Sequence, residues 1–283
     1  DASCYGIKKS DRNKAVEGEG ISMIRIDYNK CVGCMSCVRV CPFNVIREYE
    51  GQARLDTTRH CIQCLHCAAI CSVKAIDWSG ETAILEDEPY QPTDDFRQSL
   101  KGFIKTRRSV RLFHEEPVPR KIVEEALDVA AYAPSAKNQH PSRWIVMDNQ
   151  DIIQACMKDI LEFVHQNKIS QEINVLYEEG RNVVFGQAPT VVIGCANENS
   201  INPLADLALE AHTATLYLES MGISSCWAGY FARLTNQIDS IKERIKVSAG
   251  ERVYVALMLG YPKGEEYCHI PVRRQKQKIS WID

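Results

Sequence analysis

Two copies of one cysteine pattern carry the most specific chemistry in this chain. They read Cys31-Val-Gly-Cys34-Met-Ser-Cys37-Val-Arg-Val-Cys41-Pro42 and Cys61-Ile-Gln-Cys64-Leu-His-Cys67-Ala-Ala-Ile-Cys71-Ser72. Each is C-x2-C-x2-C-x3-C, a spacing with which thiolates hold [4Fe–4S] clusters, the fourth cysteine serving the other cluster. Three thiolates two residues apart can wrap one corner of a cubane along a tight loop. The fourth must arrive from another direction, and crossing the copies supplies it. Cys31, Cys34, Cys37 and Cys71 then hold one cluster, and Cys61, Cys64, Cys67 and Cys41 the other. Structural zinc takes close pairs separated by a longer span and gives no reason for triplets. A disulfide framework goes with a secreted context, which nothing in the sequence suggests. After the last cysteine the copies differ, Pro42 against Ser72. Proline fixes the backbone and has no N–H to donate, so the cluster held by Cys71 is expected to differ in hydrogen bonding and potential.

Four later stretches also look chemical. Thr106-Arg107-Arg108-Ser109-Val110-Arg111 packs three guanidiniums and a hydroxyl into a short run, a set that suits a phosphate group; alone, such a run also reads as a solvated basic face. Ala133-Pro134-Ser135-Ala136-Lys137-Asn138-Gln139-His140-Pro141 is dense in amides and hydroxyls and reads equally as a proline-fixed loop. Gly222-Ile-Ser-Ser-Cys-Trp227-Ala228-Gly229 offers small residues that let a ligand approach the backbone, or make a tight corner between elements. His269-Ile-Pro-Val-Arg273-Arg274, following Gly260-Tyr-Pro-Lys-Gly264, would by itself be an ordinary basic tail.

The elements that must position these residues are partly legible. Residues 1–20 are polar and aperiodic, a lead-in. Ile21–Tyr28 alternates as a strand, residues 44–56 read as a hairpin turning at Gly51, and residues 75–78 form a strand before a turn at Ser79-Gly80. Residues 86–95, acidic and with two prolines, have the composition of a linker. Thr93 or Asp94 can cap a helix from about Asp95 to Lys105. Pro119 opens another with Ile122, Val123, Ala126, Leu127 and Ala130 on one face, ending before Pro134. Residues 144–147 and 190–194 read as short strands, and residues 203–220 as a long helix, apolar at Leu204, Leu207, Ala208, Ala211, Ala214, Thr215 and Leu218. Residues 252–260 form a nearly continuous apolar strand, buried on both faces. Strands separated by long helices, without a regular βαβ spacing, predict an α+β domain.

The 283 residues have room for one large domain or two ordinary ones, and 45% hydrophobic with 25% charged residues is the balance of a globular chain. A net charge of -3 gives no sign of nucleic-acid or anionic-membrane binding. No apolar run reaches the length of a spanning helix, and the opening Asp1–Lys9 lacks the apolar core of a signal peptide. Of 13 cysteines, Cys4, Cys156, Cys195, Cys226 and Cys268 stand outside the two patterns, singly, and are expected as buried thiols. Reduced thiols and iron–sulfur clusters together lead us to expect a cytoplasmic protein.

In this order, the four later stretches resemble the nitroreductase family of FMN-dependent enzymes, over residues 94–283. The front, residues 21–88, is similar to a bacterial dicluster ferredoxin, so the whole resembles the nitroreductases that carry an N-terminal ferredoxin domain. The resemblance implies an α+β chain with a lead-in at 1–20, a dicluster domain at 21–88 and an FMN domain at 89–283. It implies that Arg107, Arg108, Ser109 and Arg111 grip the flavin phosphate and reach the pyrimidine edge, with Arg273 completing the phosphate site. Pro134, Ser135 and Asn138 would lie beside the isoalloxazine, the proline and serine reaching across from the partner subunit of a homodimer. Trp227, Ala228 and Gly229 would present backbone N–H groups to flavin N5 and O4. The chain departs from the family in reading Gln139-His140-Pro141-Ser142-Arg143-Trp144 where Gln-Pro-Trp is usual, and Arg274 stands close enough to Arg273 to exchange roles with it. No G-x-G-x-x-G follows a strand, so no separate Rossmann nicotinamide domain is visible; the family admits NAD(P)H directly over the flavin.

The expected activity is therefore an oxidoreductase whose chemistry is centred on the flavin and requires no catalytic side chain. Electrons would pass from a reduced ferredoxin or NAD(P)H, through two [4Fe–4S] clusters and FMN, to an electron-poor organic substrate such as a nitroaromatic or a quinone. The same scaffold could instead run a reductive dehalogenation or reduce an activated double bond, or serve as a non-catalytic electron relay. Around residues 163–185 a segment is expected to cover the pocket, with Tyr177, Arg181 and Phe185 either touching substrate or forming a helical core face.

Overall fold

The computed structural model describes residues 24–78, 81–82, 90–264, 269 and 277–282. The lead-in, the turn at Ser79-Gly80, residues 86–89 of the linker, Cys4, Cys268, Arg273 and Arg274 lie outside the described residues. The chain divides into two compact units, Asp1–Tyr90 and Gln91–Asp283.

In the first unit, β1 (Ile24–Ile26) pairs antiparallel with β4 (Ile76–Trp78), which also pairs with β5 (Glu81–Thr82). β2 (Ile46–Tyr49) and β3 (Gln52–Leu55) form a hairpin whose two turn residues, Glu50 and Gly51, both have positive φ, 49° and 74°. That backbone matches the right-handed twist of the flanking strands. The short helices α1 (Ser36–Val40) and α2 (His66–Ala69) follow the cysteine triplets, each entered through a left-handed residue, Met35 or Leu65. Ile24, Ile46, Ala53, Ala68 and Ile76 bury a small core under them.

The second unit is built on a sheet of order β6-β7-β9-β8, all antiparallel: β6 (Arg143–Met147), β7 (Thr190–Asn197), β8 (Ser224–Trp227) and β9 (Glu251–Gly260). Both faces are covered, which explains why β7 and β9 read as continuous apolar runs. Val191, Ile193 and Cys195 face a core shared with α5 (Gln150–Asn167), α6 (Glu172–Glu178), α8 (Gly229–Thr235) and α9 (Asp239–Arg244). Val192, Ala196, Val255 and Leu257 face the other way, onto α4 (Arg120–Ala130) and α7 (Pro203–Ser220). Period-two alternation thus feeds two helix layers from one strand. β7 carries a register shift between Gly194 and Cys195. Gly194 leaves room for its neighbours there, because a Cβ would lie 2.6 Å from the Leu207 and Val255 side chains and force them to shift.

α7 positions much of the chemistry of the second unit. Pro203 occupies its first turn, and Leu207, Ala211, Ala214 and Leu218 are buried against the sheet. Full burial of each leucine contributes roughly 1.5–3 kcal/mol. The helix ends in a Schellman turn: Gly222 at φ 77° lets the Ile223 N–H reach Leu218 O at 3.0 Å. Leu204, expected on the same buried face, is exposed, as is Leu209. α3 (Asp94–Thr106) is capped by Thr93, whose Oγ1 accepts the Phe96 N–H at 3.1 Å, and none of its residues is buried within the chain. Its Phe96, Leu100 and Ile104 lie open to solvent.

Candidate functional site

The repeat geometry of the first unit gathers the thiols. Cys41, from the first run, stands with Cys61, Cys64 and Cys67 of the second closely enough for all three to press on the Cys67 thiol. Burial is the main reason that thiol is pushed up to about 11, and the neighbouring sulfurs add to it. These four cysteines line one pocket whose remaining walls are largely apolar, including Phe43, Val45, Ile46 and Leu65. Among the described residues no three ligating side chains converge on a single ion. Four thiols spread around an apolar pocket suit a body with four separate metal corners, so the residues fit a [4Fe–4S] cluster. In the first run Cys31 and Cys34 both stand close enough to act on the Cys37 thiol. The fourth cysteines are held identically: Val45 N–H donates to Cys41 Sγ at 3.2 Å, and Ala75 N–H to Cys71 Sγ at 3.2 Å. Cys34 is exposed, and the Ser36 hydroxyl, then the Ser36 N–H, with Arg39 nearby, hold its thiol below the usual range.

In the second unit the Arg107–Arg111 run leaves α3 and docks on the sheet edge. Ser109 bridges Ser225, and the Val110 N–H donates to Ser225 O at 3.1 Å. Arg108 turns onto its own backbone, donating to Lys105 O and Arg107 O at 2.7 Å, and Arg111 donates to Ser109 O at 3.3 Å. Among the described residues none of these three guanidiniums forms an ion pair with a carboxylate; burial pushes the Glu219 carboxyl up, against the opposing pull of Ser224 and of Arg107 nearby. A cluster of unneutralised guanidiniums beside a serine fits an anion such as a phosphate. Behind it, Gln187 N–H donates to Arg111 O at 3.1 Å, and Gly186, at φ 56°, passes so close that a Cβ would lie 2.5 Å from that carbonyl. Gly186 is not among the residues that the sequence pattern singles out, though Asn182, whose side chain accepts the Val184 and Phe185 N–H groups, marks the turn.

The 222–229 stretch resolves into a strand followed by a helix. Ala228 N–H donates to Ala256 O at 2.8 Å, so it is spent on the sheet and cannot serve a ligand. That corrects one of the three amide donors expected. Strand amides alternate in direction, so the Trp227 N–H faces the same open edge as the Ser225 carbonyl that receives Val110. Gly229 begins α8, where the first N–H groups have no partner within the helix.

The Ala133–Pro141 loop is wound tightly, with Lys137, Asn138 and His140 all at positive φ. His140 N–H donates to Ser135 Oγ at 3.0 Å, and the His140 ring meets Asn138 Oδ1 at 3.1 Å. Two acids on α7 that sequence pattern alone passes over support it. Asp206, 3% exposed, accepts the Ala136 N–H at 2.8 Å; Glu210, 2% exposed, lies 3.8 Å from His140 Nδ1. Two acids one helical turn apart in the apolar run Leu204–Ala211 are the signal that could have found them. Pro134 is exposed, while Ser135 and Asn138 are half-buried. The loop is thus tied to the first turn of α7, and the arginine run lies near its last. Glu219 lies thirteen positions beyond Asp206 on the helix, a rise of about 20 Å.

Of the covering segment, Phe185 is 1% exposed and packs with its ring tilted against Phe231, centroids 4.9 Å apart, which makes it core; Tyr177 and Arg181 are exposed. Cys156, Cys195 and Cys226 are buried free thiols, as expected. No described helix is long and apolar enough to cross a membrane.

The model of the nitroreductase family matches residues 104–261. The chain belongs to the nitroreductase family. A 4Fe–4S dicluster domain model matches residues 23–72, so this family member carries an iron–sulfur domain in front. A Methanothermobacter thermautotrophicus protein provisionally named NADH dehydrogenase/NAD(P)H nitroreductase is 24% identical over 164 residues, 56% of this chain and 75% of its own. A nitroreductase with bound FMN from Bacteroides fragilis superposes with a TM-score of 0.54 at 23% identity, covering 64% of this chain and 98% of that one. Another from Desulfitobacterium hafniense, also with bound FMN, gives 0.54 at 22% identity, covering 65% and 98%. At these identities the two structures show the shared α+β fold of the second unit.

Proposed function

We propose that the chain is an oxidoreductase that passes electrons from a low-potential donor through two [4Fe–4S] clusters to FMN and on to an electron-poor organic substrate, a nitroaromatic or a quinone. In this reading the dicluster domain spans residues 21–88, after a lead-in at 1–20, and the flavin domain residues 89–283. The observation that carries it is the company Cys41 keeps. A fourth cysteine standing with the other run's triplet is what two interleaved clusters need, and a zinc site or a pair of disulfides would not call for it.

Clusters pass single electrons, while FMN, when bound, collects two and delivers them as a hydride. The chain's own residues bind and orient. Arg107, Arg108, Ser109 and Arg111 would hold the phosphate and the pyrimidine edge. The Trp227 and Gly229 amides would point at the ring's polar edge, with Ala228 contributing its small side chain rather than its N–H. Pro134, Ser135 and Asn138 would flank the ring. The arginine run and this loop lie near opposite ends of one α7, which supports a homodimer in which each site takes its loop from the partner. The uncovered apolar faces of α3 and α7 have the character of an interface core.

Reduced ferredoxin is the favoured donor and NAD(P)H the alternative, the latter suggested by the name of the methanogen relative. Anaerobic turnover of a panel of nitroaromatics, quinones, halogenated aromatics and activated alkenes, with each donor in turn, tests the proposal. Consumption of the first two classes supports it. Electron uptake without loss of any substrate would make the chain a relay, and preferential dehalogenation or alkene reduction would move the substrate class.

A further inference from the structure

We propose that the two clusters are unequal in reduction potential, the cluster of Cys31, Cys34, Cys37 and Cys71 being the more positive, and that Ser36 and Arg39 set the difference. The inference rests on the two-cluster reading above.

The repeat supplies its own control. Each fourth cysteine receives one amide bond of 3.2 Å from the residue four positions on, so that contribution cancels between the copies. What remains differs in kind. In the first copy Ser36 Oγ lies 3.5 Å from Cys34 Sγ, while Arg39 donates to Ser36 Oγ at 3.0 Å and to Cys34 O at 3.2 Å. Arg39 therefore occupies a lone pair of the serine and leaves its single hydroxyl proton for the sulfur once that sulfur is a thiolate ligand. In the second copy His66 stands at the serine position and Ala69 at the arginine position. Among the described residues no hydroxyl or guanidinium hydrogen-bonds Cys64.

Surroundings and chain chemistry point the same way. Cys34 is exposed and Cys37 half-buried, whereas Cys64 is half-buried and Cys67 buried in the apolar pocket. Pro42 after Cys41 has no N–H, and Ser72 after Cys71 keeps one. Reduction adds one negative charge to a cluster, and donors to its sulfurs, a nearby cation and solvent all favour that added charge. One contact opposes: Gln63 N–H donates to Cys61 Sγ at 3.4 Å. It is of about the same length as the Ser36–Cys34 contact but has no charge behind it, and so is weaker than a hydroxyl backed by a guanidinium.

The test is an anaerobic redox titration of the full chain followed by electron paramagnetic resonance, with iron and sulfide assayed on each sample. Wild type should hold about eight irons and titrate in two waves. Cys64→Ala, which removes a ligand of the second cluster, should leave the more positive wave. Arg39→Ala and Ser36→Ala should each keep about eight irons and move only that wave to more negative potential. The Arg39→Ala shift should shrink with added salt, because the guanidinium is exposed, while the Ser36→Ala shift should persist. Ala69→Arg combined with His66→Ser should raise the lower wave and narrow the gap, a gain that damage to the fold would not produce. About eight irons with one wave, or with Arg39→Ala and Ser36→Ala leaving the upper wave in place, overturns the inference while the two-cluster reading stands. About four irons in wild type would overturn that reading itself, and the inference with it.

Discussion

The carboxylate of Asp206 accepts the backbone N–H of Ala136 at 2.8 Å, and this bond fastens the Pro134–Asn138 loop to the first turn of α7. Loop residues carry little packing energy of their own, so a buried acid on a rigid helix gives them a fixed position. Replacing it tests whether the loop's placement matters to the flavin.

Asp206→Ala should cost about 1–3 kcal/mol of stability, because the Ala136 amide is left without its acceptor. It should also lower the flavin retained after gel filtration. Asp206→Asn keeps an acceptor oxygen and should cost less on both counts. Urea midpoints and the ratio of flavin to protein absorbance check this. Equal losses in the two variants would show that charge, rather than the hydrogen bond, anchors the loop.

The position of Cys41 leads to a second expectation. Cys41→Ala should reduce bound iron from about eight to about four, and so should Cys64→Ala. The double variant should stay at about four, because both ligands serve one cluster. Cys41→Ala combined with Cys34→Ala should lose nearly all iron. If the runs were uncrossed, these two double variants would exchange outcomes. Iron and sulfide assays on anaerobically purified protein decide between the patterns.

A third expectation concerns acid stability. Arg143 on β6 donates to both carboxylate oxygens of Glu251 at the start of β9, at 2.6–2.9 Å, across the end of the sheet. The guanidinium holds the Glu251 carboxyl below its ordinary 4.5. A carboxyl depressed in the folded state stabilises it above the unfolded value, and loses that contribution as pH falls through the folded value. The wild type should therefore shed stability below about pH 4.5, and Arg143→Ala should flatten that part of the profile. The difference should be on the order of 1 kcal/mol or less, since Arg143 is partly exposed. Urea midpoints from pH 3.5 to 7 measure it, and parallel profiles would contradict it.

Sequence and structure agree where local signals suffice. The long helix is readable because Pro203 starts it and Gly222 stops it, with apolar residues at helical spacing between them. The iron–sulfur domain is readable because ligand spacing is itself a geometric statement. Ala228 escapes such a reading because an amide's direction depends on the phase of its pairing with β9, which begins more than twenty residues later. Leu204 escapes it because periodicity finds an apolar face without saying how wide a strip the sheet covers. Asp206 and Glu210 escape it because an acid on a helix is usually solvated, and only the fold brings a loop seventy residues away down upon Asp206.

The proposed division of the site between two chains gives the most demanding expectation. If the arginine run of one protomer meets the Pro134–Asn138 loop of its partner, defects in the two halves should complement. Arg108→Ala with Arg111→Ala would impair the phosphate half in one chain, and Asp206→Ala the loop half in another. Each variant homodimer then has two damaged sites. A mixed dimer has one site carrying both defects and one carrying neither. Co-expression with different affinity tags, and purification through both, isolates the mixed species. Its flavin content and turnover should return to about half those of wild type, as one sound site in two requires. A mixed dimer no better than the average of its parents would place both halves of each site within one chain. The roughly 20 Å along α7 would then have to be bridged by a single flavin and the chain that holds it.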